Sequence, residues 1–302
     1  MKAINKMRID AKYFPSIGRI FTPVVMDSLA LKGHSGYLTE VCANSGLLEQ
    51  TDPSIPLSQF FDWIYNILFK NYRNEYIYKN AIANKILLGK HSLNTSHMLM
   101  EFRIGKCKAD AVVINGTSTV YEIKSEFDSF ARLENQIKAY YQIFDHINVT
   151  TSNSQTTKLK SILPDAVGIL VLTDRNTIST IRKSKSNKKN INLDTLFDSL
   201  RKKEYVKVVE EYYETIPNVP NTQIYRECKK LFCKIPPETA HDLTMDTLRK
   251  RNNTRVLKEF ITKAPASLSA YALSICSEKA KMRALMSNFT NNIGSVIIPK
   301  LV

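Results

Sequence analysis

Three charged residues stand where an apolar strand normally excludes charge: Asp110 in Ala109-Asp110-Ala111-Val112-Val113, and Glu122 with Lys124 in Tyr121-Glu122-Ile123-Lys124. An unpaired carboxylate in such surroundings is costly, so these groups either pair with one another or hold a metal. Glu122 and Lys124 are two apart, and alternate residues of a strand share a face, so the two project together. A hard ion such as Mg²⁺ (or Mn²⁺) takes carboxylate oxygens and keeps several waters, and Asp110 and Glu122 can supply those oxygens. Lys124 is then placed to help deprotonate a water and to steady charge growing on a phosphate. The chemistry indicated is metal-dependent hydrolysis of a phosphodiester. On a surface hairpin, however, the same three residues would be ordinary solvated charges.

The elements that must position them are strands over 97–104, 108–114 and 119–124. Asn115-Gly116 gives a strong hairpin signal, because both residues tolerate positive φ. The register of that hairpin decides the site. A two-residue turn pairs Asp110 with Tyr121 and leaves Asp110 and Glu122 on opposite faces. A three-residue connection, or one bulge, pairs Asp110 with Glu122. The metal reading therefore requires the odd-length loop, and a plain two-residue register would sink it.

Around the hairpin, residues 57–68 and 75–88 read as helices, the second ending at Gly89. Arg132 to Ile147 reads as an amphipathic helix, with Leu133, Ile137, Tyr140, Tyr141, Phe144 and Ile147 on one face. Ala166 to Thr173 reads as a buried strand. This order predicts an α/β class with a mixed sheet between helices. The expected organisation is a lead-in over 1–56, partly helical, an α/β domain over 57–180, and an all-α C-terminal domain over 190–302. The basic stretch Arg182 to Asn190 is read as a surface loop at the boundary.

Tyr121-Glu122-Ile123-Lys124-Ser125, then Asp128, Arg132-Leu133 and Gln136-x-x-x-Tyr140, resemble the PD-(D/E)XK nuclease superfamily. The likeness runs over residues 75–174 and is strongest to small bacterial and phage proteins with an EIKS strand and an RLxxQxxxY helix. It implies a restriction-endonuclease-like α/β/α core in which Asp110 and Glu122 are metal ligands and Lys124 is the catalytic lysine. It also implies that Gln136 and Tyr140 support the site and contact nucleic acid. Ala109 stands where the superfamily usually has proline. Two further acids fit the resemblance as accessory ligands, Glu101 on the first strand and Glu75 at a helix start. Glu101 would equally be a solvated edge charge, and an acid in a first helical turn is favoured by the dipole alone.

The chain has 43 Lys plus Arg against 28 Asp plus Glu, a net charge of +15. Such a field attracts phosphate backbones, so nucleic acid, DNA first, is the expected partner, with Arg182, Lys183 and Lys185 as further contacts. A protein partner for the C-terminal helices stays open. Five scattered cysteines and an N-terminus without an apolar leader predict free thiols and a cytoplasmic location. Cys228, Cys233 and His241 lack the second cysteine pair of a zinc set. The histidines at 34, 91, 97, 146 and 241 show no ligand spacing, and His146 reads as structural. No apolar run is long enough for a membrane span, and no phosphate-binding GxxxxGK[ST] loop is present. Two functions remain open: a metal-dependent nuclease, or a catalytically inactive module of the same fold that binds nucleic acid or protein in a phage or mobile element.

Overall fold

Six strands follow one another across a single mixed sheet in sequence order: β1 (His97–Ile104), β2 (Cys107–Ile114), β3 (Ser118–Lys124), β4 (His146–Thr151), β5 (Gly168–Leu172) and β6 (Ile178–Arg182). The computed structural model describes residues 9–90, 93–251 and 255–297. His91 and the first eight residues of the lead-in lie outside them. β1, β2 and β3 form an antiparallel meander, β4 and β5 add in parallel, and β6 closes the edge antiparallel. A parallel neighbour needs a crossover, supplied by the Leu133–Tyr140 helix between β3 and β4 and the Thr156–Ile162 helix between β4 and β5. The α/β class read from the sequence is the one observed.

One face of this sheet is the core. Leu99, Val112, Val120, Ile147, Val149 and Ile169 join a single buried apolar cluster with Leu133, Ile137 and Tyr140. The same cluster takes in Phe197, Val208, Phe232 and Leu248. These four come from the helices Leu193–Asp198, Lys202–Tyr213, Ile224–Phe232 and Pro237–Arg249.

The chain therefore divides elsewhere than residue patterning suggests. Ala81–Asn253 is one compact unit, and Met1–Asn80 with Thr254–Val302 is the other. The helices after residue 190 do not form one domain, because those up to Arg249 bury their apolar faces on the sheet cluster. In the second unit the first and last parts of the chain are knitted by hydrogen bonds. Tyr76 donates to the Ser267 carbonyl at 2.7 Å, and Asn80 bonds the backbone of Ala266 and Ala270, each at 3.0 Å. Among the described residues no helix is long and apolar enough to cross a membrane.

Two further differences concern helices. The helix expected over 132–147 stops at Tyr140, and residues 146–151 form β4, so His146 opens a strand instead of lying on a helix. Asn187 Nδ2 donates to the carbonyls of Tyr141 (2.7 Å) and Phe144 (3.1 Å), groups that a continuing helix would have satisfied itself. The helix from Glu75 passes into a π-type turn over Ala83–Leu87, and Gly89 lies inside the last turn, Leu88–Lys90, instead of capping it. Later in the chain, Leu193–Asp198 is followed by a separate helix Lys202–Tyr213, and Ser269–Ser274 by Lys279–Asn288.

Candidate functional site

The β2–β3 connection is the odd-length one. Ile114 pairs with Ser118 and Ala111 with Tyr121, so Asn115, Gly116 and Thr117 make a three-residue loop with Gly116 at φ 89°. One step further along this register Asp110 faces Glu122. At that step the ladder opens: Asp110 Oδ2 accepts the Ile123 backbone N–H at 2.8 Å, a side chain taking the role of a strand carbonyl. The β1–β2 ladder also skips Asp110. Met100 pairs with Ala111 and Phe102 with Ala109, while Glu101 between them sits at φ 55°. Neither ladder's register gives Asp110 a partner residue, and its side chain is half-buried.

Glu122 and Lys124 project from β3 onto the core face, where Glu122 is 1% exposed and Lys124 7%. Lys124 Nζ lies 2.9 Å from Glu122 Oε1. Gln136 bridges the pair, donating from Nε2 to Glu122 Oε1 at 2.6 Å and accepting from Lys124 Nζ at 3.0 Å. Tyr140 donates to Glu122 Oε2 at 2.5 Å. Gln136 and Tyr140 are four apart on a helix whose other inward residues, Leu133 and Ile137, are buried, so one face delivers both groups. Burial, then the carboxylates of Glu122 and Asp110, push the Tyr140 phenol far above its ordinary pKa. It is thereby kept a donor. Thr151 on β4 donates to the Lys124 carbonyl at 2.7 Å, and Asp128 accepts from both the N–H and the hydroxyl of Ser125. The turn after Lys124 is fixed on both sides.

The family described as Bacteriophage P4 protein cII matches residues 69–271, more than half of the chain and all six strands. The chain belongs to that family. Protein cII of Enterobacteria phage P4 is 22% identical over 148 residues, which are 48% of this chain and 54% of that protein. The chain thus spans about half the length of the curated relative it matches. Among solved structures, the SPO1766 protein of unknown function from Silicibacter pomeroyi is similar at 18% identity, over 31% of this chain and 62% of that one, with a TM-score of 0.26.

In this cII-family chain the remaining candidates fall into separate places. Glu101 is exposed and ion-paired with Lys108 at 2.7 Å. Glu75 belongs to the other unit, where it pairs with Lys79 at 2.6 Å. Tyr140 has no exposure, so it supports Glu122 instead of meeting a nucleic acid directly. Arg182 is turned inward as well: its guanidinium donates to the carbonyls of Val167 (2.8 Å) and Pro164 (3.0 Å), a structural role in place of the expected phosphate contact. Lys183 and Lys185 are exposed. Among the described residues no three His, Cys, Asp or Glu side chains gather as a metal-ready group. Asp110 and Glu122 are therefore the acidic donors available to an ion here.

Residue spacing gave no hint of a buried polar network beside this site. Asp145 accepts from Thr117 Oγ1 (2.6 Å), Ser186 Oγ (2.5 Å) and the backbone N–H of Asn187 (3.0 Å) and Lys188 (3.1 Å). Burial alone would raise its pKa, but the hydrogen bonds from Ser186 and Thr117 outweigh it and hold the carboxyl below its ordinary value. Ser118 Oγ accepts the Asp145 N–H at 3.0 Å and lies 2.8 Å from His241 Nε2, and His241 Nδ1 is 3.4 Å from Asp242. A serine, a histidine and an aspartate in that order resemble a hydrolytic triad, yet Ser118 and His241 are both 0% exposed. No substrate reaches them. Burial holds the His241 imidazole below its ordinary pKa, against the opposing pull of Asp242.

Proposed function

We propose that Asp110, Glu122 and Lys124 form the centre of a Mg²⁺- or Mn²⁺-dependent nuclease acting on phosphodiester bonds, in DNA first. The observation that carries this reading is the three-residue Asn115–Thr117 loop, which brings Asp110 and Glu122 into line across the hairpin. Two facing carboxylates are a donor set that a hard divalent ion accepts, and the ion when bound would neutralise charge at the scissile phosphate. The chain's own residues do the rest. Asp110 and Glu122 bind, Lys124 holds a positive charge beside them, and Gln136 and Tyr140 fix the directions of Glu122 and Lys124. The net charge of +15, with Lys183 and Lys185 exposed, favours a polyanionic substrate. Membership of a phage protein family fits an enzyme that meets DNA.

A second reading has its own observation. Glu122 already accepts from Lys124 and Gln136 on Oε1 and from Tyr140 on Oε2. A carboxylate so fully engaged suits a purely structural cage, and hence a nucleic-acid- or protein-binding module without turnover. Asp110→Asn separates the two. The asparagine oxygen can still accept the Ile123 N–H, so the hairpin stays closed while the charge is lost. Wild-type protein with plasmid or linear DNA and Mg²⁺ or Mn²⁺ is expected to cut, and D110N to cut about 10²-fold more slowly or worse. Absence of cutting by the wild type with either ion, or full activity in D110N, refutes the nuclease.

A further inference from the structure

The sheet face turned away from Glu122 carries a groove of about 340 Å³. β3 and β4 set Tyr121 beside Asn148, and β4 and β5 set Asn148 beside Gly168. Alternation along each strand puts Tyr121 and Asn148 on the side opposite Glu122 and Val149. Asn148 lines the groove at 7% exposure, and its carboxamide has no hydrogen-bond partner among the described residues. Its nitrogen and oxygen stay open to the groove, where a group that enters can take up both the donor and the acceptor. The room for it is specific: a Cβ on residue 168 would lie 2.0 Å from Asn148 Oδ1, so only glycine lets the amide occupy this position.

The rest of the lining narrows the chemistry of the occupant. Ile86, Tyr121 and Leu170 are buried apolar walls, Lys90 and Lys183 are exposed cations at the rim, and no Asp or Glu is among the lining residues. A carboxamide presents a donor and an acceptor side by side, the complement of a nucleobase edge. Two ammonium groups without a competing carboxylate complement a phosphate. The volume lies in the ~300–1,000 Å³ range of small-ligand sites. We propose that this groove binds a single nucleotide unit, with its base edge on Asn148, its base plane against the apolar walls and its phosphate towards Lys90 and Lys183. The site is independent of the hydrolytic reading, since it shares no residue with Asp110, Glu122 and Lys124.

The test is calorimetric titration of the full chain, with EDTA present, using the four common nucleoside 5′-monophosphates, the matching nucleosides, inorganic phosphate and 5′-phosphorylated trinucleotides. Saturable binding of at least one monophosphate is expected, tighter than its nucleoside or phosphate alone. Asn148→Leu and Lys183→Glu are each expected to weaken it about tenfold or more. Binding of trinucleotides alone assigns the groove to a strand end, and binding of both assigns it to a free nucleotide as well. D110N, which removes the proposed hydrolytic centre, is expected to bind as the wild type does. No saturable binding of any nucleotide or trinucleotide overturns the proposal, as does phosphate binding as tightly as the nucleotide. If N148L fails to fold, K183E on the exposed rim decides alone: unchanged affinity in that variant refutes the site.

Discussion

Replacing Lys124 with methionine tests the core of the site without any assumption about catalysis. The side chains of Lys124 and Glu122 are 9% and 2% exposed and 2.9 Å apart, so the variant leaves a buried carboxylate without its cation. Breaking such a pair from one side costs ~3–5 kcal/mol. Gln136 and Tyr140 would still donate to Glu122, which places the loss near the lower end, about 3 kcal/mol. In a unit the size of Ala81–Asn253, that loss lowers the melting temperature by about 6–12 °C. Adding Glu122→Leu removes the stranded charge. The double variant is then expected to recover part of the loss, because an apolar pair of similar volume is often no worse than a buried ion pair. Recovery is incomplete, since the Tyr140 hydroxyl keeps only the Lys108 carbonyl, 3.3 Å away. Urea unfolding of the wild type, both single variants and the double variant gives the coupling, expected at ~1–3 kcal/mol. A loss below about 1 kcal/mol for K124M, or strictly additive losses in the double variant, would show that the pair is not buried as described.

Other perturbations reach the surrounding scaffold. Burial, with Arg251 nearby, lowers the His97 imidazole from 6.5 to about 4, so the unfolded chain takes up this proton first as pH falls. The stability it contributes is complete above about pH 6.5 and is lost towards pH 4, roughly 3 kcal/mol in all; melting curves at pH 7.5, 6 and 5 should fall less steeply for His97→Leu than for the wild type, and equal slopes would refute the assignment. Asp145→Ala strands the donors of Thr117, Ser186, Asn187 and Lys188, and should cost about 3 kcal/mol or more while opening the chain near Lys185 and Lys188 to trypsin. An unchanged digestion pattern would show that Asp145 does not anchor that segment. At Glu101, held at φ 55°, glycine should be tolerated within about 1 kcal/mol whereas valine should cost a further ~1–2 kcal/mol in urea titrations. Equal stability of the two variants would remove strain from the account.

The legible part of this molecule is the part whose causes are local. β1 to β3 and the α/β class follow from alternating apolar residues and from Asn115-Gly116. The spacing of Gln136 and Tyr140 is enough to place both on one helical face. The loop length was not legible, because Thr117 is held in the turn by Asp145, which lies 28 residues away. β4 escaped for the same kind of reason. Ile143, Phe144 and Ile147 continue a helical spacing, and what stops the helix is Asn187, more than forty residues later. Arg182 carries no sequence mark that separates a phosphate clamp from a cap on the carbonyls of Val167 and Pro164; only the β5–β6 pairing decides it. The groove around Asn148 was invisible because its polar and apolar walls come from four strands, the helical turns before β1 and the residues just after β6, each unremarkable alone.

These long-range ties have one effect on the candidate centre. Thr117 and Ser118, both tied to Asp145, fix the register of β3 against β2, and that register brings Glu122 opposite Asp110. At that step the Asp110 carboxylate reaches across to the Ile123 N–H, beside the left-handed Glu101 of β1. Glu101 makes an exposed ion pair with Lys108, which contributes at most ~1 kcal/mol. The consequence of this register is a half-buried carboxylate facing a buried one held by lysine, glutamine and tyrosine. A fold concerned only with packing would place apolar side chains at both positions.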